Sequence, residues 1–307
     1  MSKSELHPRN KHKEGYDMQK LVLRVPALQP FIKKNPSGVD SIDWSDSKAV
    51  LLLNKALLLE YYKLQNWSIP PGFLCPPVPG RADYVHYVAD LLASENDDQI
   101  PTGKGIKIFD LGVGANCIYP IIGAVEYGWR FVGVESNPRA FKSAKGIVAF
   151  NDHLRNKVEI RQQLDPSRYN EEVIRPNEFF DALMCNPPFY SSVEEAEHHN
   201  QQKQRNLKPA STNTSRNFGG QSHELVTTGG ELAFIQGLIE ASALFPTRVF
   251  WYTTLVSSGR HLNVFYKQLK ELQATEYKTI EMKQGNKISR CLAWTFLRPA
   301  ERKKWKF

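Results

Sequence analysis

Short apolar runs alternating with helical stretches from Ile106 onward limit this chain to very few folds. The pattern predicts strands at 106–111, 130–135, 157–161, 179–185, 247–256, 275–282 and 291–297, with helices at 118–127, 138–150, 229–245 and 259–272. Runs this apolar, joined by helices of this length, require parallel crossovers with helices on both faces of one sheet. Only the last two strands have a short connector, Lys283 to Arg290, so they are expected to pair as an antiparallel hairpin. The expected fold class is α/β: a mainly parallel seven-stranded sheet with a terminal antiparallel hairpin and an N-terminal helical extension.

The extension occupies residues 1–80, and residues 81–307 form the α/β domain. Residues 17–34 predict one or two short helices around Pro26, and Ser45 or Asp46 can cap a helix running to about Leu64. Pro70, Pro71, Pro76, Pro77 and Pro79 make the segment from Asn66 to Gly80 an extended connector, with a helix expected from about Arg81. Residues 1–13 carry four Lys/Arg against Glu5 alone, which reads as a solvated tail or an RNA-touching arm. The tail Arg298 to Phe307, with five cations against Glu301, reads as a frayed end or an extension of a phosphate-binding surface.

A net charge of +8 and a pI near 9.2 favour an acidic partner, nucleic acid being the commonest. Cys75, Cys117, Cys185 and Cys291 lie far apart without histidines at ligand spacing, which argues against a zinc site or a disulfide framework; no metal is expected. The greasiest stretch, Val50 to Tyr62, is interrupted by Asn54, Lys55 and Glu60 and is too polar to span a bilayer. No membrane partner is expected, and the expected location is cytoplasmic.

The run from Ile106 to Cys117 is a buried strand entering a glycine turn and then a helix. Ligands in open α/β sheets bind at the carboxyl ends of strands, where this turn lies, and Gly112 and Gly114 let backbone approach a ligand closely. A dinucleotide site would need a third glycine where Cys117 stands. The Asp-x-Gly-x-Gly form suits S-adenosylmethionine, which needs no pyrophosphate cradle. Asp110 would order the turn or accept from the donor's ammonium, and Glu135, closing the next strand, would accept both hydroxyls of a ribose. Asp165 is a candidate for the donor's adenine amine or the start of a turn, and Arg81 for the donor's carboxylate.

Asn186-Pro187-Pro188-Phe189 follows the apolar run 179–185 directly. The prolines stop the strand, fix φ and bring no N–H groups. The Asn186 amide oxygen and the Pro187 carbonyl can each accept one hydrogen of a planar amine whose ring stacks on Phe189. The competing reading is a proline-stopped strand with Phe189 as a core plug. The long linker 190–228 carries Lys203, Arg205, Lys208 and Arg216, with no carboxylate between His198 and Gly220. It is expected to be a substrate-gripping, RNA-binding loop or a solvated one.

A doubly wound sheet ending in a hairpin is the pattern of Rossmann-like class I methyltransferases. Longer strings narrow this: Gly80-Arg81-Ala82-Asp83-Tyr84-Val85-His86, Gly112 through Pro120, Cys185 through Phe189, and Asn217-Phe218-Gly219-Gly220. With Leu6 through Asn10 and Gly72 through Pro79, they resemble the bacterial 23S rRNA adenine-N6 methyltransferase family, RlmF, over nearly the whole chain. The resemblance implies S-adenosyl-L-methionine as donor and one adenine of 23S rRNA as target, on free rRNA or a large-subunit assembly intermediate. It implies kinship with a eukaryotic small nuclear RNA adenine methyltransferase, and donor contacts at Arg81, Gly112, Asn116, Glu135 and Asn186. Rival readings are a guanine-N2 rRNA methyltransferase, a protein glutamine methyltransferase, and a non-catalytic RNA-binding protein of the same fold.

Overall fold

The computed structural model describes residues 6–169, 171–188, 190–192, 224, 226–284 and 287–307. Asp17 caps α1 (Met18–Arg24), and a 3-10 helix over Pro26–Phe31 follows. A small antiparallel pair, β1 (Ile32–Lys34) and β2 (Asp40–Ile42), leads into α2 (Ser47–Tyr61), whose Asp46 cap accepts from the N–H groups of Lys48 and Ala49. Helix α3 (Val78–Ala93) begins earlier than the prolines suggest, because Pro77 is its N-cap and Pro79 lies in the first turn. The N–H groups missing there would have no helical partner anyway.

The sheet comprises β3 (Lys107–Leu111), β4 (Arg130–Glu135), β5 (Val158–Gln162), β6 (Phe180–Cys185), β7 (Val249–Val256), β8 (Glu276–Gln284) and β9 (Lys287–Thr295). Among the described residues these seven strands lie in the order β5-β4-β3-β6-β7-β9-β8, parallel except for β9. The terminal hairpin is longer than its apolar residues suggest, since Gln284 pairs with Lys287. As the outermost strand, β8 is rich in charge and so lacks a strong hydrophobic signal. After β3 the chain moves outward to β4 and β5, then returns to place β6 on the other side of β3. This reversal opens a crevice at the carboxyl ends of β3 and β6.

Alternate side chains feed two cores. Ile108, Phe131, Ala182 and Met184 pack with α1 to α3, α4 (Ile118–Glu126) and α5 (Pro138–Phe150), so the N-terminal helices share one core with the sheet. Phe109, Val132, Leu183 and Tyr252 face the helices Gly230–Ala243 and Leu262–Glu271.

Both chain ends depart from the solvated-tail reading. His7, Asn10 and His12 are buried. The His7 N–H donates to Asp83 at 3.0 Å, Arg9 bonds Asp90 and Tyr127, Lys11 pairs with Glu126, and His12 meets the Tyr62 hydroxyl at 2.9 Å. At the other end Arg302 bridges Glu95 and Glu276, and Trp305 donates to Asp181 at 2.7 Å. Buried histidines and a carboxylate-rich face on α3 draw in the N-terminal segment. Neither signal lies within that segment's own cation count.

Candidate active site

The crevice at the switch point is a cleft of about 330 Å³. Its walls include Arg81, Gly112, Gly114, Asn116, Tyr119, Glu135, Gln163, Asn186, Pro188 and Phe234. One side is the turn after β3. The Gly112 and Val113 N–H groups both donate to the Val134 carbonyl, at 3.0 and 2.9 Å, which folds the turn back against β4. Gly112 and Gly114 have φ of +78° and +67°, a region that disfavours side chains, and a Cβ on Gly112 would meet nothing within 4 Å. Cys117, where a third glycine was the alternative, also adopts a left-handed φ of 55° as the N-cap of α4. The backbone conformation a glycine would favour is thus present without the glycine.

Glu135 sits at the end of β4 with 8% of its surface exposed. One carboxylate oxygen accepts from the Gly114 N–H at 3.0 Å and the other from the Asn137 N–H at 2.8 Å. A carboxylate has about four acceptor sites, and the backbone donors leave acceptor capacity for a diol hydroxyl. Burial raises its pKa, and the backbone donors partly oppose this. Behind the lining, Asp110 is fully buried and neither carboxylate oxygen has a hydrogen-bond partner. Burial, reinforced by Glu135 and opposed by Arg81, pushes its pKa well up. The turn is ordered by Val134 and Glu135, which removes turn-ordering as the role of Asp110.

Opposite lies Asn186, the first residue beyond β6. Its Oδ1 accepts from Arg81 Nη1 at 2.8 Å, and the same guanidinium nitrogen donates to the Tyr119 hydroxyl at 2.8 Å. This assigns the amide orientation and spans the cleft from α3 to α4 and the β6 end. Burial pushes the Tyr119 phenol up to about 12, with Arg81 opposing. Beneath Asn186, the fully buried Tyr84 hydroxyl accepts from the Cys185 N–H at 3.2 Å and lies 2.7 Å from Thr253 Oγ1. Pro187 is buried and Pro188 partly so.

The cleft therefore gathers Arg81, Gly112, Gly114, Asn116, Glu135, Asn186 and Pro188, with Asp110 directly behind. Asn116 is 6% exposed; its Oδ1 accepts from the Ile118 N–H at 3.1 Å and starts α4. Asp165 is apart: it caps the 3-10 turn Pro166–Arg168, its carboxylate accepting from Ser167, and Gln163 reaches the cleft wall instead. Phe189, Lys203, Arg205, Lys208, Arg216 and the string 217–220 fall outside the described residues. Sequence reading passed over Tyr84, Tyr119, Gln163 and Glu224. Glu224 lines the cleft and accepts from the Leu74 N–H at 2.9 Å. Tyr84 and Tyr119 stood within quoted strings, but tyrosines at helical spacing look like core.

S-adenosylmethionine fits this site on its own chemistry. A buried unpartnered carboxylate matches an ammonium, Glu135 keeps acceptor sites for a ribose, and the open space at Gly112 admits close backbone approach. Among the described residues no group of three or more His, Cys, Asp and Glu could hold a metal ion, and no helix is long and apolar enough to cross a membrane.

A family model described as RNA methyltransferase matches residues 1–298. A protein of Photobacterium profundum called ribosomal RNA large subunit methyltransferase F is 47% identical over 99% of this chain and 95% of its own. The protein of that name in Flavobacterium johnsoniae is 46% identical, over 99% and 98%. Among solved structures, the hMettl16 catalytic domain in complex with the MAT2A 3′UTR hairpin 1 superposes with a TM-score of 0.79 at 29% identity, covering 96% of each chain. The N-terminal domain of human METTL16 in complex with SAH gives 0.74 at 26% identity, covering 95% of this chain and 99% of that one.

Proposed function

Because the chain belongs to the RNA methyltransferase family, we propose that it methylates the N6 amine of one adenine in 23S rRNA, with S-adenosyl-L-methionine as donor. The observation carrying this reading is Asn186 Oδ1, held by Arg81 in the wall of the same cleft as Gly112, Gly114 and Glu135. The bound donor supplies an electrophilic methyl group. Arg81, Asp110, Gly112, Gly114, Asn116 and Glu135 hold it in this reading, and Gln163 replaces Asp165 near its adenine. An adenine N6 lone pair is delocalised into the ring, so orientation is the main lever. Arg81 takes one acceptor site of Asn186 Oδ1, and the second remains for an amine N–H. The Pro187 carbonyl takes the other hydrogen, and together they stabilise positive charge developing on nitrogen. No general base is required until the product ammonium sheds its proton.

Phe189 stacks on the extruded base, and Lys203, Arg205, Lys208 and Arg216 grip the surrounding RNA together with the extension 1–80, which precedes the catalytic domain 81–307. The relatives' name supports large-subunit rRNA as substrate, either free or in an assembly intermediate, and therefore a cytoplasmic location.

Mass mapping of nucleosides in 23S rRNA from a strain lacking this protein tests the reading. Loss of one N6-methyladenosine is expected; loss of N2-methylguanosine in its place overturns the adenine assignment. In vitro, Asn186→Ala should lower turnover by roughly 10²–10³-fold while donor affinity by calorimetry stays within about threefold. Donor affinity lost to the same degree as turnover would remove Asn186 from the acceptor site.

A further inference from the structure

The outer face of α5 carries Arg139, Lys142 and Lys145, all exposed, and the 13-residue helix has no carboxylate. Its inner face buries Ala140, Ala144 and Ile147, so the three cations are presented to solvent by the packing of the helix. None of the three makes an ion pair among the described residues; Arg139 lies 5.4 Å from the Phe73 ring and Lys145 5.2 Å from the Phe141 ring. The neighbouring acids are already engaged. Glu135 accepts from the turn and from Asn137, and Asp152 pairs with Arg155 at 3.0 Å.

Between α5 and residues 66–70 runs a groove of about 310 Å³, with Trp67 and Ile69 on one side and Lys142 and Phe150 on the other. Phe150 ends α5 with 64% of its surface exposed, an aromatic plate beside a cation at the end of a basic stripe. A single exposed aromatic residue is ordinary. This one differs because the stripe starts at the active cleft. Glu135 and Ser136 line that cleft, Asn137 caps α5, and Arg139 stands over Phe73, next to the cleft residue Leu74. From Arg139 to Lys145 the helix rises about 9 Å.

We propose that α5 and the groove beside Phe150 hold single-stranded RNA flanking the target base, Arg139, Lys142 and Lys145 on phosphates and Phe150 stacked on an unpaired base. The proposal rests on the RNA substrate of the preceding section. Unpaired cations leading to an accessible aromatic ring match a nucleic-acid strand, which offers both phosphates and stacking bases. An acidic protein would satisfy only the cations.

The test uses the full chain and unmodified 23S rRNA from a strain lacking it, with affinity measured across a salt series. Lys142→Gln with Lys145→Gln should reduce the slope of log affinity against log salt by about 1.4–1.8, two phosphate contacts' worth. Phe150→Ala should weaken binding about tenfold at unchanged slope. Both variants should keep wild-type donor affinity and thermal stability, which shows that they fold. Unchanged affinity and slope overturn the proposal. So does an equal fall in slope for Lys267→Gln with Lys270→Gln, on the exposed side of helix Leu262–Glu271, since only net charge would then matter. Methyl transfer by the wild-type chain is followed in parallel. If no adenine is modified, the catalytic reading fails, while the salt slope still decides whether α5 binds RNA.

Discussion

Tyr84→Phe removes one oxygen from a fully buried hydrogen-bond network beneath the active cleft. Thr253 Oγ1 donates to the Leu183 carbonyl at 2.7 Å, so its proton is committed and it accepts from Tyr84. Tyr84 in turn accepts the Cys185 N–H at 3.2 Å. Phenylalanine has the same shape, which leaves packing intact and orphans that N–H in the interior. An unsatisfied buried donor costs about 1–3 kcal/mol, so about 2 kcal/mol is expected. Unfolding entropy of roughly 2.1 cal/mol/K per residue then gives a fall in Tm of about 3 °C for a chain of 307 residues. Because Cys185 immediately precedes Asn186, loosening this peptide should also cost about tenfold in kcat, with donor affinity held within about twofold. Thermal scans, donor calorimetry and methyl-transfer kinetics read the three quantities. Thr253→Val spares the Cys185 N–H and should affect kcat less than Tyr84→Phe. Wild-type Tm and kcat in Tyr84→Phe, or a larger kcat effect from Thr253→Val, would refute the view that Tyr84 positions the acceptor asparagine.

Glu135→Gln keeps one acceptor oxygen but turns the other into a donor facing backbone N–H, so donor affinity should fall at least about tenfold by calorimetry; a change within twofold would remove Glu135 from the donor site. In Gly133→Ala the new Cβ would lie 2.9 Å from Val113 Cγ2, so the glycine turn must shift, costing about 1–3 kcal/mol and weakening donor binding, as thermal scans with and without donor would report. Burial lowers the pKa of His12 to about 4 and of His86 to about 3, Lys11 reinforcing both, while Asp90 opposes at His86. Both are therefore neutral in the fold, and their contribution is complete above the ordinary value of 6.5 and lost as pH falls toward about 4 for His12 and about 3 for His86. Tm should drop between about pH 6.5 and 4, and His12→Gln should flatten that drop; an unchanged pH profile in the variant would show that the docked N-terminal segment does not carry it.

The central strands β3, β6 and β7 were legible because they are buried on both faces and written as nearly continuous apolar runs. The hairpin strand β8 was underestimated at its polar end because an edge strand is held by backbone pairing, which leaves no hydrophobic trace. The site was legible where backbone chemistry is exceptional: positive φ at Gly112 and Gly114, paired prolines after β6, and an acid closing β4. It was illegible where one side chain orients another. Nothing near Arg81 in the sequence announces that it meets Asn186, 105 positions away, and Asp165 resembles a ligand residue until its carboxylate is seen to cap its own turn.

The same distinction governs charge. A count of cations by segment put the basic surface in the linker 190–228 and left the two chain ends open between solvated tails and RNA contacts, yet several cations at those ends are compensated. Asp90 receives Arg9, Glu126 receives Lys11, and Glu95 and Glu276 receive Arg302. A paired cation near the surface adds little field beyond a few ångströms, whereas an unpaired one adds its full charge within the Debye length of about 8 Å at physiological salt. Lys142 and Lys145 contribute two charges with no ion pair among the described residues, on a helix free of acids. Affinity for a polyanion is therefore expected to track α5 more closely than the ion-paired Arg9, Lys11 and Arg302. In the same salt series, Lys142→Gln with Lys145→Gln should lower the slope more than Lys11→Gln with Arg302→Gln, although both pairs remove two positive charges. Equal slopes would mean that the ion pairs at the chain ends open when RNA arrives, and the terminal segments would then belong to the RNA-binding surface.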